Sequence, residues 1–116
     1  VSRAAADSVI EFMAFQCDSN EDACEYLRCN DYWTRKLMQY PGFVSTWTMI
    51  SEDLNGRVYV IIKWRSLEDW AAVPKADLME YGKEFDRLYG KHYETVSKMC
   101  LESRKQLRCV CQTELH

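Results

Sequence analysis

No apolar run in this sequence approaches the roughly 20 residues that a helix needs to cross a bilayer. Histidine occurs twice, at His92 and His116, and proline twice, at Pro41 and Pro74. There is no G-x-S-x-G, no Walker glycine loop and no H-E-x-x-H, so the common local signatures of hydrolases, nucleotide binders and zinc peptidases are missing. Charge of one sign is not concentrated: 15 Lys and Arg stand against 18 Asp and Glu, for a formal net charge of −3. A chain of that balance has no basic stripe with which to displace counterions from a phosphate backbone, so nucleic acid is not an expected partner. Cysteine is not scarce, yet Cys17, Cys24, Cys29, Cys100, Cys109 and Cys111 contain no C-x2-C pair and match no zinc spacing. They read as small buried or inert thiols. A disulfide involving the Cys109-Val110-Cys111 tail is the alternative. No metal site is expected.

What is present is an ordered series of apolar patterns. Val9 to Gln16 reads as a strand. Ser19 to Tyr40 carries Ala23, Tyr26, Leu27, Asn30, Trp33, Leu37 and Tyr40 at steps of three and four, one face of a helix. Asp18 or Ser19 is its cap, with Asp22 three residues after Ser19, and Pro41-Gly42 ends it. Phe43 to Ser51 and Arg57 to Arg65 read as two further strands meeting at Asn55-Gly56, a hairpin signal. Ser66 caps a short turn through Trp70 that Pro74 interrupts. Pro74 to Tyr89 is a second main helix, with Leu78, Phe85 and Leu88 inward and Gly90 as its stop. A last strand runs from about His92 to Leu101. The acidic pairs Glu52-Asp53 and Glu68-Asp69 fall at a turn and a helix start, where capping and solvent account for them.

The order is β-α-β-β-α-β, the split βαβ arrangement. The predicted fold is α+β and ferredoxin-like: a four-stranded antiparallel sheet with two main helices on one face. Residues 9–102 form this domain, residues 1–8 precede it and residues 103–116 form a C-terminal extension. The RNA-recognition motif shares the topology, but Val58-Tyr59-Val60-Ile61-Ile62-Lys63 lacks the glycine and second aromatic that its third strand carries. The first and third strands, central in this topology, are apolar on both faces, and two helices cover only one. The uncovered face would leave a patch well beyond the few hundred Å² that a monomer tolerates. A protein partner is therefore expected, either an identical chain or subunits of a larger membrane assembly. Candidate interface residues are Val58, Tyr59, Val60 and Ile61 in the third strand, and Arg104, Lys105 and Arg108 in the tail.

Particular segments sharpen this. Val9-Ile10-Glu11-Phe12, Asp31-Tyr32-Trp33-Thr34, Tyr40-Pro41-Gly42-Phe43, Val60 to Ser66, Trp70, Val73-Pro74, Phe85 and Gly90 to Tyr93 together resemble the dimeric α+β-barrel superfamily. Its best-known members are antibiotic-biosynthesis-type monooxygenases. Trp70 and Val73-Pro74 are most similar to an uncharacterised cyanobacterial and algal branch. That resemblance implies either of two functions. One is a non-catalytic accessory subunit docked on the soluble side of a plastid photosynthetic membrane complex. The opening Val1-Ser2-Arg3-Ala4-Ala5-Ala6 agrees with it, being similar to the end of a transit peptide; a trimmed start accounts for it equally. The alternative is a small cofactor-independent monooxygenase or a haem-binding enzyme. The alternative implies a pocket between helices and sheet, with Trp47, Trp64 and His92 as its residues and Trp33 and Trp70 as further walls. Core packing would place the tryptophans equally well. His92 would be base or haem ligand. The first strand carries Ile10, Phe12 and Ala14 where haem-degrading relatives use an Asn, which argues against haem and leaves no cofactor as the main expectation.

Overall fold

The computed structural model describes residues 8–102. β1 (Val9–Cys17) is followed by two consecutive helices, α1 (Asn20–Cys29) and α2 (Asp31–Leu37). β2 (Phe43–Ile50) and β3 (Arg57–Trp64) come next, then α3 (Leu67–Ala71), α4 (Lys75–Tyr89) and β4 (Tyr93–Glu102). The four strands form one antiparallel sheet in the order β2-β3-β1-β4. The expected ferredoxin-like α+β fold is present, with β1 and β3 in the centre and the helices on one face.

Local chemistry sets the boundaries. Ser19 Oγ accepts the Asp22 N–H at 3.1 Å, and Ser66 Oγ accepts the Asp69 N–H at 3.1 Å, so both predicted caps satisfy an otherwise orphaned helix donor. α4 ends on Gly90 at φ 66°, a left-handed stop that glycine adopts without strain. Two expectations need correction. The single helix over Ser19 to Tyr40 is divided at Asn30, whose ψ of −17° departs from the helical value near −42° and interrupts the ladder for one residue. Asn55 and Gly56 are the central pair of the hairpin's turn, but not in the type I′ form that the Asn-Gly signal favours. That turn requires positive φ at both positions, and Gly56 alone has it, at 82°. Instead Arg57 N–H bonds Leu54 O at 3.2 Å, with Gly56 third in the turn, where a type II turn needs positive φ.

Register separates the two sheet faces. Val58, Val60, Ile62 and Trp64 face the helices and are buried, opposite Phe15, Met13, Glu11 and Val9 of β1. Burial of Val58 and Val60 beneath the helices removes them from the interface to which they were assigned. Tyr59 and Ile61 point the other way, opposite Ala14 and Phe12. On that outer face Trp47 is 49% exposed, Met49 45%, Met99 45% and Leu101 52%, with Phe12 stacked on Tyr59 at 5.8 Å. The uncovered sheet surface is apolar across all four strands, as the two-faced pattern of β1 and β3 requires. Arg104, Lys105 and Arg108 lie outside the described residues.

The space between sheet and helices is filled unevenly. At the Cys17 end, Tyr26 meets Phe85, Tyr93 and Tyr89 at ring separations of 4.9, 5.2 and 5.3 Å. Tyr89 takes the inward position expected of Leu88, which is exposed, because the stripe of α4 rotates by one residue towards its end. Toward the Trp64 end, the same layer is hollow.

Candidate functional site: an aromatic chamber under the helices

The hollow is a cavity of about 340 Å³. Sheet residues Glu11, Met13, Phe43, Thr46, Val60, Ile62 and Trp64 line one side, and Asn30, Trp33, Thr34, Leu37, Trp70, Val73 and Leu78 line the other. Its volume falls in the lower part of the range of roughly 300–1,000 Å³ that small-molecule sites occupy. The Pro41-Gly42 turn helps set the roof. Gly42 has φ 92°, and a Cβ there would come within 2.3 Å of Asp69 Cβ. Asp69 in turn accepts from Arg65 Nε at 2.8 Å and Ser66 Oγ at 3.1 Å. The turn thus seats α3 against the end of β3 and holds Trp70 over the opening.

The tryptophans divide by register. Trp64 is 1% exposed, packs edge-to-face with Phe43 at 5.7 Å and borders the chamber. Trp33 and Trp70 line it as well. Trp47 does not: it pairs with Ile61 on the outer face. His92 does not either. It is exposed in the turn before β4, with Nδ1 3.1 Å from Asp18 Oδ1 and Nε2 3.4 Å from Glu94 Oε2. Those carboxylates, Asp18 first, raise its pKa above the ordinary 6.5. Of the expected trio Trp47, Trp64 and His92, the structure brings only Trp64 to the cavity. The roles of chamber base and haem ligand therefore do not fall to His92. Among the described residues no group of three or more His, Cys, Asp or Glu is arranged to hold a metal ion. Cys17, Cys24, Cys29 and Cys100 are free thiols.

Two residues not singled out from the sequence give the chamber its polarity. Asn30 is 5% exposed and makes no side-chain cap to α2. Its backbone N–H bonds Tyr26 O at 2.8 Å and its carbonyl accepts from Thr34 N–H. Its carboxamide has no hydrogen-bond partner among the described residues, and the residue lines the cavity. Buried amides are nearly always paired, so this one is left open to whatever fills the space. Glu11 is the second. It is the one carboxylate lining the chamber among the described residues, and its Oε1 accepts Trp64 Nε1–H at 3.2 Å. Lys98 of β4 stands at the cavity edge with no ion pair. Tyr26 and Tyr93 also border the space. Burial pushes both phenols well above their ordinary range, helped for Tyr93 by its bond to Asp86, so they are neutral at physiological pH. A sequence signal for Asn30 and Glu11 did exist: each is a polar residue inside an otherwise apolar, core-facing stripe.

A four-stranded split-βαβ sheet with a tryptophan-walled cavity under its helices defines an α+β architecture with room for a small molecule. Known proteins give that class a narrower form. No protein-family model matches the sequence, and no curated protein matches it. Solved structures do match. SnoaB, a cofactor-independent oxygenase from Streptomyces nogalater, is similar over 86% of this chain and 96% of its own, with a TM-score of 0.63 at 14% identity. A monooxygenase from the ActVA-Orf6 gene of Streptomyces coelicolor, in complex with nanaomycin D, has a TM-score of 0.63 at 14% identity, covering 87% of this chain and 89% of its own. A dimeric ferredoxin-like protein from an uncultured marine organism has a TM-score of 0.63 at 12% identity, covering 82% of this chain and 94% of its own. The fold is therefore that of the antibiotic-biosynthesis-monooxygenase-like ferredoxin-fold proteins.

Proposed function

We propose that the chain is a small-molecule enzyme of the cofactor-independent monooxygenase type, acting on a planar aromatic ligand held in the chamber. The unpartnered Asn30 carboxamide carries this reading. Its polar atoms reach the chamber space rather than being sealed in the core without a partner, so they are available to a ligand there, and an amide in a largely apolar wall sets orientation. Tryptophan faces supply the apolar grip, Asn30 and Glu11 set orientation, and the cavity suits a bicyclic or tricyclic ring system. The oxygenase neighbours support the same direction, since one of them is in complex with the ligand nanaomycin D. No cofactor is assigned a place.

The expectation of an accessory subunit on a photosynthetic membrane complex drew on the apolar sheet face and on the opening residues. The solved neighbours favour the oxygenase alternative over it. The apolar face needs only a second copy of this chain, an arrangement that the dimeric marine neighbour supports. Among the described residues no helix is long and apolar enough to cross a membrane.

The test is titration of the purified protein with 1-naphthol and with a tricyclic hydroxyanthrone, read by quenching of tryptophan fluorescence. Oxygen uptake with the bound hydroxyanthrone is then followed in the presence of a metal chelator. Saturable quenching that weakens in Asn30→Leu, together with chelator-resistant uptake, supports the proposal. Absence of quenching by either compound refutes a chamber for aromatic ligands.

A further inference from the structure

We infer that Glu11 is the residue that makes the chamber selective for ligands bearing a hydroxyl group, by accepting a hydrogen bond from the ligand O–H. The inference rests on the reading of the cavity as an aromatic-ligand site and assigns a specificity that the reading does not contain.

The geometry points to Glu11 for three reasons. Its carboxylate is carried by β1, which with β3 forms the central pair of the sheet. Val9 lies opposite Trp64 and Glu11 opposite Ile62, so Glu11 and Trp64 are diagonal neighbours on the helix-facing surface. Second, only Oε1 is engaged, by the Trp64 indole at 3.2 Å. Trp64 is buried and wedged against Phe43, so the carboxylate is held in one orientation, with Oε2 free to accept. Third, among the described residues no cation is paired with it: Lys98 borders the same cavity but forms no ion pair with it. A carboxylate accepts more than one hydrogen bond, and a bond to the ionised form is the stronger kind.

The surrounding charges choose among donors. A cationic ligand would satisfy Glu11 but meet Lys98 at the edge. An anionic ligand would suit Lys98 but repel Glu11. A neutral aromatic hydroxyl donates to Oε2 while its ring lies among the tryptophans, and Asn30 can pair with a second oxygen of the ligand. A site built around such a bond rejects the analogue that lacks the donor, because the acceptor is then left buried and unpaired.

The experiment compares 1-naphthol with 1-methoxynaphthalene, which keeps the ring and loses only the donor. Dissociation constants come from quenching of tryptophan fluorescence. The wild-type chain is expected to prefer the naphthol by roughly ten- to hundredfold, the range of a charge-assisted hydrogen bond. In Glu11→Leu the preference falls to within about twofold while methoxynaphthalene affinity is kept or improved. Glu11→Gln, which keeps the shape and still offers Trp64 an acceptor, retains a reduced preference, and it decides the matter if the Leu variant does not fold. A purely structural Glu11 would lower both affinities together and leave their ratio unchanged; that result overturns the inference. Equal wild-type affinity for the two probes overturns it too, while leaving the chamber intact as a ligand site. Failure of the wild type to bind either probe defeats the chamber reading, and the role of Glu11 falls with it.

Discussion

Replacing Asn30 with Leu is expected to make the protein more stable and less able to bind. In most cores, removing a native polar residue is costly because it breaks a hydrogen bond. Here the residue is 5% exposed, yet its side chain bonds no protein group among the described residues. Desolvation of an unpaired amide costs about 1–3 kcal/mol. The lower end applies, because no polar side-chain atom among the described residues is both fully enclosed and unpartnered; the Asn30 amide keeps contact with the chamber space. Leu has the same branched skeleton, its bulkier methyl groups can occupy the adjoining chamber space, and Asn30 sits at φ −62° and ψ −17°, a right-handed conformation that Leu adopts freely. Helix propensity adds about 0.5 kcal/mol in favour of Leu. The expected gain is about 1–2 kcal/mol, or a rise in Tm of about 5–10 °C for a domain of this size.

The assay pairs thermal unfolding, followed by far-UV circular dichroism, with naphthol titration of the same samples. Asn30→Leu should melt higher and bind naphthol about fivefold to tenfold more weakly, the loss of one neutral hydrogen bond. Asn30→Asp, equal in shape but charged, should melt lower than wild type by more than about 1 kcal/mol, because a buried carboxylate without a partner is worse than an amide. A lower Tm for Asn30→Leu would mean that the amide is satisfied and structural, and would refute both the argument and the functional reading drawn from it. Opposite signs for stability and affinity are the signature of a residue retained for its site.

Further predictions follow from other parts of the fold. Trp47→Glu places a charge in the middle of the apolar outer sheet and is expected to convert a dimer to a monomer in sedimentation equilibrium, with the naphthol affinity of the protomer little changed, since Trp47 does not reach the chamber. Gly42→Ala is expected to lower the urea midpoint by at least about 2 kcal/mol equivalent, from positive φ and the clash with Asp69, and to weaken binding because α3 carries Trp70. His92 is expected to titrate above 6.5 by NMR, and Asp18→Asn should return it toward that value, Asp18 being the larger of its two acidic neighbours' effects. Because the folded value is raised, the stabilisation from this pair is fully present below pH 6.5 and is lost as pH rises through the raised pKa. A His92 resonance titrating at or below the ordinary value would remove the Asp18 contact.

The architecture was legible because the strands and helices obey their local rules. Ser19 and Ser66 cap, Gly90 stops a helix, and the period-two pattern puts Val58, Val60, Ile62 and Trp64 together on one face of β3. What that pattern cannot give is which of two apolar faces meets the helices. Val58 and Tyr59 are equally plausible as contacts for a partner until the crossover places α1 and α4, and burial of Val58 follows only from that placement. The same limit explains Trp47. Its strand is bulged between Phe43 and Ser45, and one extra residue reverses the face on which every later side chain falls. Counting from Phe43 by twos puts Trp47 inside; the bulge puts it outside.

The chamber was hidden for a different reason. Its walls are residues that also make good core, so Trp33, Trp64 and Trp70 do not announce a cavity. Its function rests on the positions where the core pattern fails. Asn30 stands in a helical stripe otherwise made of Ala23, Tyr26, Leu27 and Trp33, and Glu11 in a strand otherwise made of Val9, Met13 and Phe15. Each deviation alone has an ordinary explanation, a helix junction for Asn30 and a solvent-facing turn of the strand for Glu11. Register and crossover add what neither explanation contains, because they bring the two side chains to one cavity. Two unrelated departures from the apolar rule that converge on the same cavity constrain the chemistry more than either tryptophan or histidine content does. A core evolving for stability alone would have replaced Asn30 with Leu and Glu11 with Val or Ile, and the measured stability of those replacements decides whether the cavity is a packing defect or a site.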